Sequence, residues 1–167
     1  MKKRYIVLLV FVLLVVGLLT WRLWPRSLAN LLPKDAYSFP NVFASAMVDV
    51  YEVGQVDFLH YRLDDQETTA AKELLDILNT SGYRPAFRNL LPWTEGALAS
   101  GSDFDGRSVI LHFYVIAGQT RRDFSVQFLG RSQVSISTED SWGVYHATNP
   151  ETLTALVEYI QTHGQQK

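Results

Sequence analysis

A single apolar run near the start of the chain constrains everything that follows it. The run extends from Tyr5 to Trp21, which is 17 residues, without one charged side chain. Because an α-helix rises about 1.5 Å per residue, a run of this length is just sufficient to cross a hydrocarbon core of about 30 Å. The sequence therefore predicts a transmembrane helix, and we expect the rest of the chain to lie on one side of a membrane.

Basic and aromatic residues on both sides of the run favour a retained anchor over a cleaved signal peptide. The residues that we assign to the membrane boundary are Lys2, Lys3, Arg4, Trp21, Arg22 and Trp24. Tryptophans are enriched at membrane interfaces, and the excess of basic residues before the run favours a cytoplasmic N-terminus. The alternative is secretion after cleavage behind Ala29, because Ser27 and Ala29 are small residues of the kind that signal peptidase accepts.

Composition divides the chain into three parts. Residues 1–26 form the predicted anchor, residues 27–43 form a predicted linker that contains two prolines, and residues 44–164 form a predicted extracytoplasmic domain. The chain has no cysteine, which excludes disulfides, a thiolate nucleophile and any zinc site that uses cysteine. From residue 30 onward there are 10 basic and 17 acidic residues, so nucleic acid is not an expected partner.

The residue pattern after the linker predicts an α+β domain, in which an antiparallel sheet carries two helices on one face. The predicted order of elements is ββα-ββββα. Residues 45–53 and 56–63 are rich in β-branched and aromatic residues and flank Gly54-Gln55, which is typical of a hairpin. A helix with apolar residues at spacings of three and four follows, and Gly82 is its predicted end.

The second half of the domain is predicted to contain a meander and a terminal helix. Residues 107–117 are apolar on both alternations, which indicates the central strand of the sheet. Three further strands at 123–129, 133–138 and 142–148 alternate with tight turns, and Asn149-Pro150 marks the start of the last helix. The irregular connection before residue 107 is expected either to contain a short strand around residues 85–91 or to be a functional loop.

No motif in the chain identifies a reaction. The patterns of a nucleophile elbow and of phosphate-binding glycine loops are absent, and Asp103-Phe104-Asp105-Gly106 lacks the other ligands of a calcium loop. His60, His112 and His146 lie on predicted strands, and three imidazoles are sufficient to bind zinc if they converge. The sequence does not reveal the strand order, and we expect neither a metal nor a cofactor.

Arginines and aromatic residues are concentrated in the irregular connection and in the turns of the meander. The candidate binding residues are Arg84, Arg88, Trp93, Arg107, Arg121 and Arg122. Guanidinium groups bind carboxylates and phosphates, and aromatic rings add rigid contact area, so a protein or an anionic envelope component is the expected ligand. The alternative is that these arginines pair with acidic residues of the same domain.

The layout of the chain resembles that of small membrane-anchored extracytoplasmic domains of uncharacterised families in Gram-positive bacteria. The features that it shares with them are the anchor, the segment ELLDILNTSGYRPAFRNLLP, the meander and the strand at 142–145 that precedes the terminal helix. The resemblance implies a compartment and no particular activity.

We therefore expect a single-pass, outward-facing binding or interaction module without catalytic activity. The first alternative is a cell-envelope hydrolase that uses His112 or His146 together with Asp103 or Asp105. The second alternative is a structural accessory subunit of a membrane complex.

Overall fold

The computed structural model describes residues 2–51, 58–64, 68–86 and 105–167. The helices in these ranges are α1 (Lys2–Arg22), α2 (Thr68–Leu78) and α3 (Glu151–His163), together with short 3-10 helices at Leu28–Asn30 and Lys34–Tyr37. The strands are β1 (Val42–Tyr51), β2 (Phe58–Asp64), β3 (Tyr83–Pro85), β4 (Arg107–Ala117), β5 (Thr120–Leu129), β6 (Gln133–Thr138), β7 (Trp142–Ala147) and β8 (Gln165–Gln166).

The strands form one antiparallel sheet in the order β3-β7-β6-β5-β4-β1-β2-β8. The predicted α+β fold is therefore confirmed, including the hairpin of β1 and β2 and the meander of β4 to β7. β4 is hydrogen-bonded to β5 and β1 in the interior of the sheet, which confirms the predicted central strand. Two short edge strands, β3 and β8, complete the sheet on either side.

Both long helices of the domain pack on the same face of the sheet, as the sequence predicts. In β1 this face is formed by Val42, Ala44, Ala46 and Val48, and in β4 by Val109, Leu111, Phe113 and Val115, all of which are buried. The helices cover it with Leu74, Leu75 and Leu78 of α2 and with Leu153, Leu156 and Ile160 of α3. Each such leucine contributes about 1.5–3 kcal/mol through burial, so this layer is the main source of stability.

The sequence prediction of a linker at residues 27–43 is wrong for most of its length, because this segment packs into the domain. Leu28 and Ala36 have no exposed surface, and Leu32 is 7% exposed. These three residues recur at a spacing of four and belong to the same core as the sheet. The prolines of the segment suggested an extended spacer. The apolar side chains of the segment are nevertheless buried, because removal of apolar surface from water lowers the free energy.

The N-terminus of α3 is formed as predicted. The side-chain oxygen of Asn149 accepts a hydrogen bond of 3.1 Å from the backbone N–H of Glu151, and Pro150 stands directly before the helix. Short polar side chains satisfy N–H groups that have no partner within the helix, and proline fixes a helical φ angle. The start of α3 is therefore determined by two adjacent residues of the sequence, Asn149 and Pro150.

Candidate functional site

Helix α1 differs from the other helices because the rest of the protein does not cover it. The segment Arg4–Arg22 has a mean hydropathy of 2.4, and no part of it is buried within the protein. Trp21 and Trp24, at the end of the helix, are 76% and 66% exposed. Exposure of a helix that is apolar on all sides to water is unfavourable, and this helix is long and apolar enough to cross a membrane.

A shallow groove lies on the face of the sheet that the helices leave open. It extends over β1, β4, β5 and β6 and has a volume of about 450 Å³. Its lining residues from the open face and its edge are Ser45, His112, Tyr114, Arg121, Asp123, Ser125, Ser137, Thr138 and Glu139. Of these residues, the sequence analysis had named only Arg121, as a candidate binding residue, and His112, as a possible metal-binding or catalytic residue.

The floor of the groove is a row of residues that lie directly opposite one another on neighbouring strands. Ser45 is opposite His112, His112 is opposite Ser125, and Ser125 is opposite Ser137. Directly opposed residues of antiparallel strands point to the same side of a sheet. Because serine side chains are short, they leave a depression between the longer side chains on both sides of the row.

An aromatic stack forms one wall of the groove. The rings of Phe43 and Tyr114 are stacked with centroids 5.0 Å apart, and the guanidinium carbon of Arg121 lies 4.4 Å from the centroid of Tyr114. Phe43 is on β1 and Arg121 is on β5, so that they contact Tyr114 of β4 from its two neighbouring strands. The ring of Tyr114 is thus held in one orientation, as a rigid contact surface requires.

The charged side chains at the groove are engaged with one another. Arg121 donates hydrogen bonds to Asp123 at 2.8 Å and 3.0 Å, and the backbone N–H of Asp123 donates to Glu139 at 3.3 Å. Two carboxylates therefore accompany one guanidinium at this wall. The local balance is negative, which favours a polar or cationic ligand over an anionic one.

The candidate arginines do not form one surface. Arg121 lies opposite Ile116, at the far end of β4 from Arg107, which corresponds to about 30 Å at about 3.3 Å per residue. Arg122 follows Arg121 in β5 and therefore points to the other side of the sheet, where its Nη1 lies 3.7 Å from Asp35. Arg84 lies on the edge strand β3, opposite His146. Arg88 and Trp93 lie outside the described residues.

Several of these arginines have acidic partners. Arg107 pairs with Asp105 at 2.6 Å, Arg121 with Asp123 at 2.8 Å and Arg122 with Asp35 at 3.7 Å. Such pairs agree with the alternative that arginines are used within the domain. Arg84, by contrast, has no carboxylate within ion-pair distance among the described residues.

The three strand histidines do not converge. His112 and His146 are separated by three strand spacings, about 14 Å across the sheet at about 4.8 Å per strand, and by a further four residues along it. His60 lies about four residues along the sheet from His112. No group of three or more His, Asp or Glu side chains within the described ranges is placed to hold a metal ion. A zinc site made of these histidines gains no support from the structure.

The hydrolase alternative also gains no support from the geometry. Asp105 is held by Arg107 at the start of β4 and is about 23 Å along the chain from His112 at about 3.3 Å per residue. Asp103 lies outside the described residues. Nδ1 of His60 is hydrogen-bonded to the carboxylate of Asp49 at 2.7 Å, and Ser108 is opposite Asp49. In that row the carboxylate separates the serine from the imidazole, whereas nucleophilic catalysis needs the imidazole between them.

Comparison with protein families, curated proteins and solved structures gave no match for this chain. The resemblance to anchored domains of Gram-positive bacteria therefore stays a prediction.

Proposed function

We propose that this protein is a single-pass, membrane-anchored extracytoplasmic binding module without catalytic activity, and that it holds its ligand in the groove of the open sheet face. In this proposal α1 spans the membrane with its N-terminus in the cytoplasm. The expected ligand is a polar or cationic segment of another protein, because the groove offers hydroxyl groups, an imidazole, a fixed tyrosine ring and an excess of carboxylate.

The main support for the anchor is the direct connection between α1 and the core. Leu28, six residues after the end of α1, is fully buried, and Arg26 exchanges backbone hydrogen bonds of 2.9 Å and 2.8 Å with Tyr83. Cleavage behind Ala29 would remove both. Removal of a fully buried leucine side chain costs about 2–5 kcal/mol, a large fraction of the stability of an ordinary domain. A retained anchor is therefore compatible with this fold, whereas cleavage behind Ala29 would lower the stability of the domain.

The main support for the groove as the contact surface is its fixed geometry. Tyr114 is stacked by Phe43 and by Arg121, and the row from Ser45 to Ser137 is set by strand pairing. A surface that is already in its bound shape loses less side-chain entropy when a ligand binds. Rigid tyrosines with hydroxyl groups around them are typical of protein contact surfaces.

Photo-crosslinking in intact membranes tests the proposal. A photoreactive amino acid is placed at Ser125 in the groove, at Glu73 on the exposed side of α2, or at Val12 on α1. We expect a discrete adduct from the Ser125 position, and we expect it to be lost in Tyr114→Ala and retained in Tyr114→Phe, which keeps the ring.

The three positions separate the alternatives. Adducts from Glu73 alone would place the contact surface on the helical side and contradict the groove. Adducts from Val12 alone would favour an accessory subunit that is held by its transmembrane helix. Lys72→Ala, on the exposed side of α2, is the matched control and should leave the Ser125 adduct unchanged.

A further inference from the structure

The connection between the anchor and the domain is short and structured. Three residues, Leu23, Trp24 and Pro25, separate the end of α1 from Arg26, and the N–H groups of Leu23 and Trp24 still bond to carbonyls of α1 at 2.9 Å and 3.4 Å. Pro25 packs closely on Gly82, where an added Cβ atom would lie 3.3 Å from the proline. The edge strand β3 is therefore held next to the end of the helix.

Two grooves flank Trp24 at this junction. The first, of about 550 Å³, is lined by Trp21, Trp24, Pro25, Arg26, Ser27 and Asn30. The second, of about 580 Å³, is lined by Thr20, Leu23, Trp24, Pro25 and Arg84. Each groove thus combines one exposed arginine with the exposed Trp24 and at least one residue of α1.

The arginines of the junction differ from those of the meander in their partners. Arg107, Arg121, Arg122 and Arg131 each lie within 4 Å of a carboxylate. In the part of the chain that the structure describes, Arg22, Arg26 and Arg84 have no such partner. Three arginines without a carboxylate partner among the described residues therefore lie where the protein leaves the apolar helix.

We propose that the two junction grooves bind the headgroups of anionic phospholipids, with Arg26 holding the phosphate in one and Arg84 in the other. This inference relies on the proposed function in that α1 must span the membrane. Guanidinium forks match phosphate oxygens, and tryptophan rings sit at the headgroup level of a bilayer. In the second groove, Leu23 and Thr20 offer an apolar wall to the upper part of an acyl chain.

The end of the helix opposes an anion only weakly. The C-terminus of a helix acts as about half a negative charge, whereas Arg22, Arg26 and Arg84 supply three full positive charges. A zwitterionic headgroup would bring its own cation toward these arginines, so the grooves should prefer a lipid with net negative charge. The ligand is therefore a phospholipid of the leaflet in which the domain rests.

The test uses the full-length protein in nanodiscs of phosphatidylcholine with a minor share of phosphatidylglycerol. After release into mild detergent, native mass spectrometry counts the lipids that remain bound. We expect preferential retention of phosphatidylglycerol, reduced about fivefold for each arginine removed in Arg26→Gln and Arg84→Gln. The pair Arg26→Lys and Arg84→Lys, which keeps the charge, should keep the preference for the anionic lipid.

Lys34→Gln combined with Lys72→Gln removes two positive charges elsewhere and should leave retention unchanged. Equal retention of both lipids by the wild type, or an unchanged preference in the double arginine variant, would overturn the inference. Displacement of the lipid by inorganic phosphate would indicate a free-anion site and overturn it as well. Failure to enter nanodiscs would instead contradict the anchor, so the two proposals fail in different ways.

Discussion

At the scale of single residues, Asp105 is the most heavily engaged carboxylate among the described residues. Arg107 donates to it from Nη2 at 2.6 Å, from Nε at 3.2 Å and from its backbone N–H at 3.2 Å, and Nε of Arg131 lies 3.5 Å away. Burial raises the pKa of the Asp105 carboxyl, but the hydrogen bonds and charge of Arg107, together with Arg131, outweigh burial and lower it. The pair holds the turn that leads into the central strand.

Replacement of this carboxylate should weaken the fold in a manner that depends on pH. Because the folded-state pKa of Asp105 is lowered, its stabilising effect is present above the unfolded-state pKa of about 3.9 and is lost as the pH falls below it. We expect Asp105→Asn to lower the free energy of unfolding by about 2 kcal/mol at neutral pH and by progressively less toward pH 2. Thermal unfolding of the full-length protein in detergent measures both effects.

The control for this prediction is Asp123→Asn, which removes the same charge from an exposed pair with Arg121. Exposed pairs contribute at most about 1 kcal/mol, so the control should unfold close to the wild type. Equal losses in both variants would show that Asp105 has no special role in the fold.

At the scale of elements, the end of α3 is fixed by its approach to β2. The N–H of Gly164 donates to the carbonyl of Ile160 at 2.7 Å, and the following residues pair with β2 as strand β8. A Cβ atom on Gly164 would lie 2.5 Å from that same carbonyl oxygen and 2.9 Å from the carbonyl oxygen of Arg62. Both obstacles are backbone atoms, which cannot move aside without a shift of the helix or the strand.

Gly164→Ala should therefore destabilise the domain although its φ angle of −88° is accessible to alanine. We expect a loss of roughly 1–3 kcal/mol in the free energy of unfolding, which is the usual cost of overpacking. Hydrogen exchange should also become faster at Lys167, whose N–H donates to the carbonyl of His60 at 2.9 Å, because β8 would separate from β2. Gly17→Ala, where an added Cβ contacts nothing within 4 Å, is the control and should leave the domain unchanged.

At the scale of the whole molecule, the apolar helix α1 and the domain form one continuous structure. The residues between them reach the core at Leu28 and the sheet edge at Arg26, so cleavage behind Ala29 would remove core contacts. The bridge between Arg26 and Tyr83 places β3 next to the residues that follow α1.

The mature protein should keep its N-terminal segment. We expect an intact mass measurement on the membrane fraction to give a chain that includes residues 1–29. A mature form that begins at Asn30 would contradict the retained anchor, and it would also require the domain to tolerate the absence of Leu28. A thermal unfolding midpoint equal to that of the full-length protein for such a form would remove the structural argument for retention.

Local signals in the sequence determined most of the secondary structure. The alternation and turn residues of 107–148 predicted the meander, because each strand and turn depends on residues close to it in the chain. The short strands β3 and β8 have too few residues for a pattern of their own and exist because β7 and β2 offer free edges. The burial of Leu28 likewise depends on a core that is formed by distant residues.

The sequence predicted the fold better than it predicted the candidate site. Arginine and tryptophan content pointed to a binding surface, yet only Arg121 reaches the open-face groove, while Phe43 and Tyr114 were missed. The sequence pattern could have identified both as residues of one sheet face, because in each strand they alternate with the buried residues. That they stack on each other follows only from the pairing of Phe43 with Tyr114.

The sequence by itself determined an apolar N-terminal helix and an acidic α+β domain with an antiparallel meander, since charge, hydropathy and short-range periodicity are properties of neighbouring residues. The tertiary structure alone decided which face of the sheet stays open, which arginines find a carboxylate and how the anchor joins the core. Those features depend on strand order and register, which bring together residues that are distant in the chain. The opening run is thus both a helix long and apolar enough to cross a membrane and the first element of a continuous path into the core.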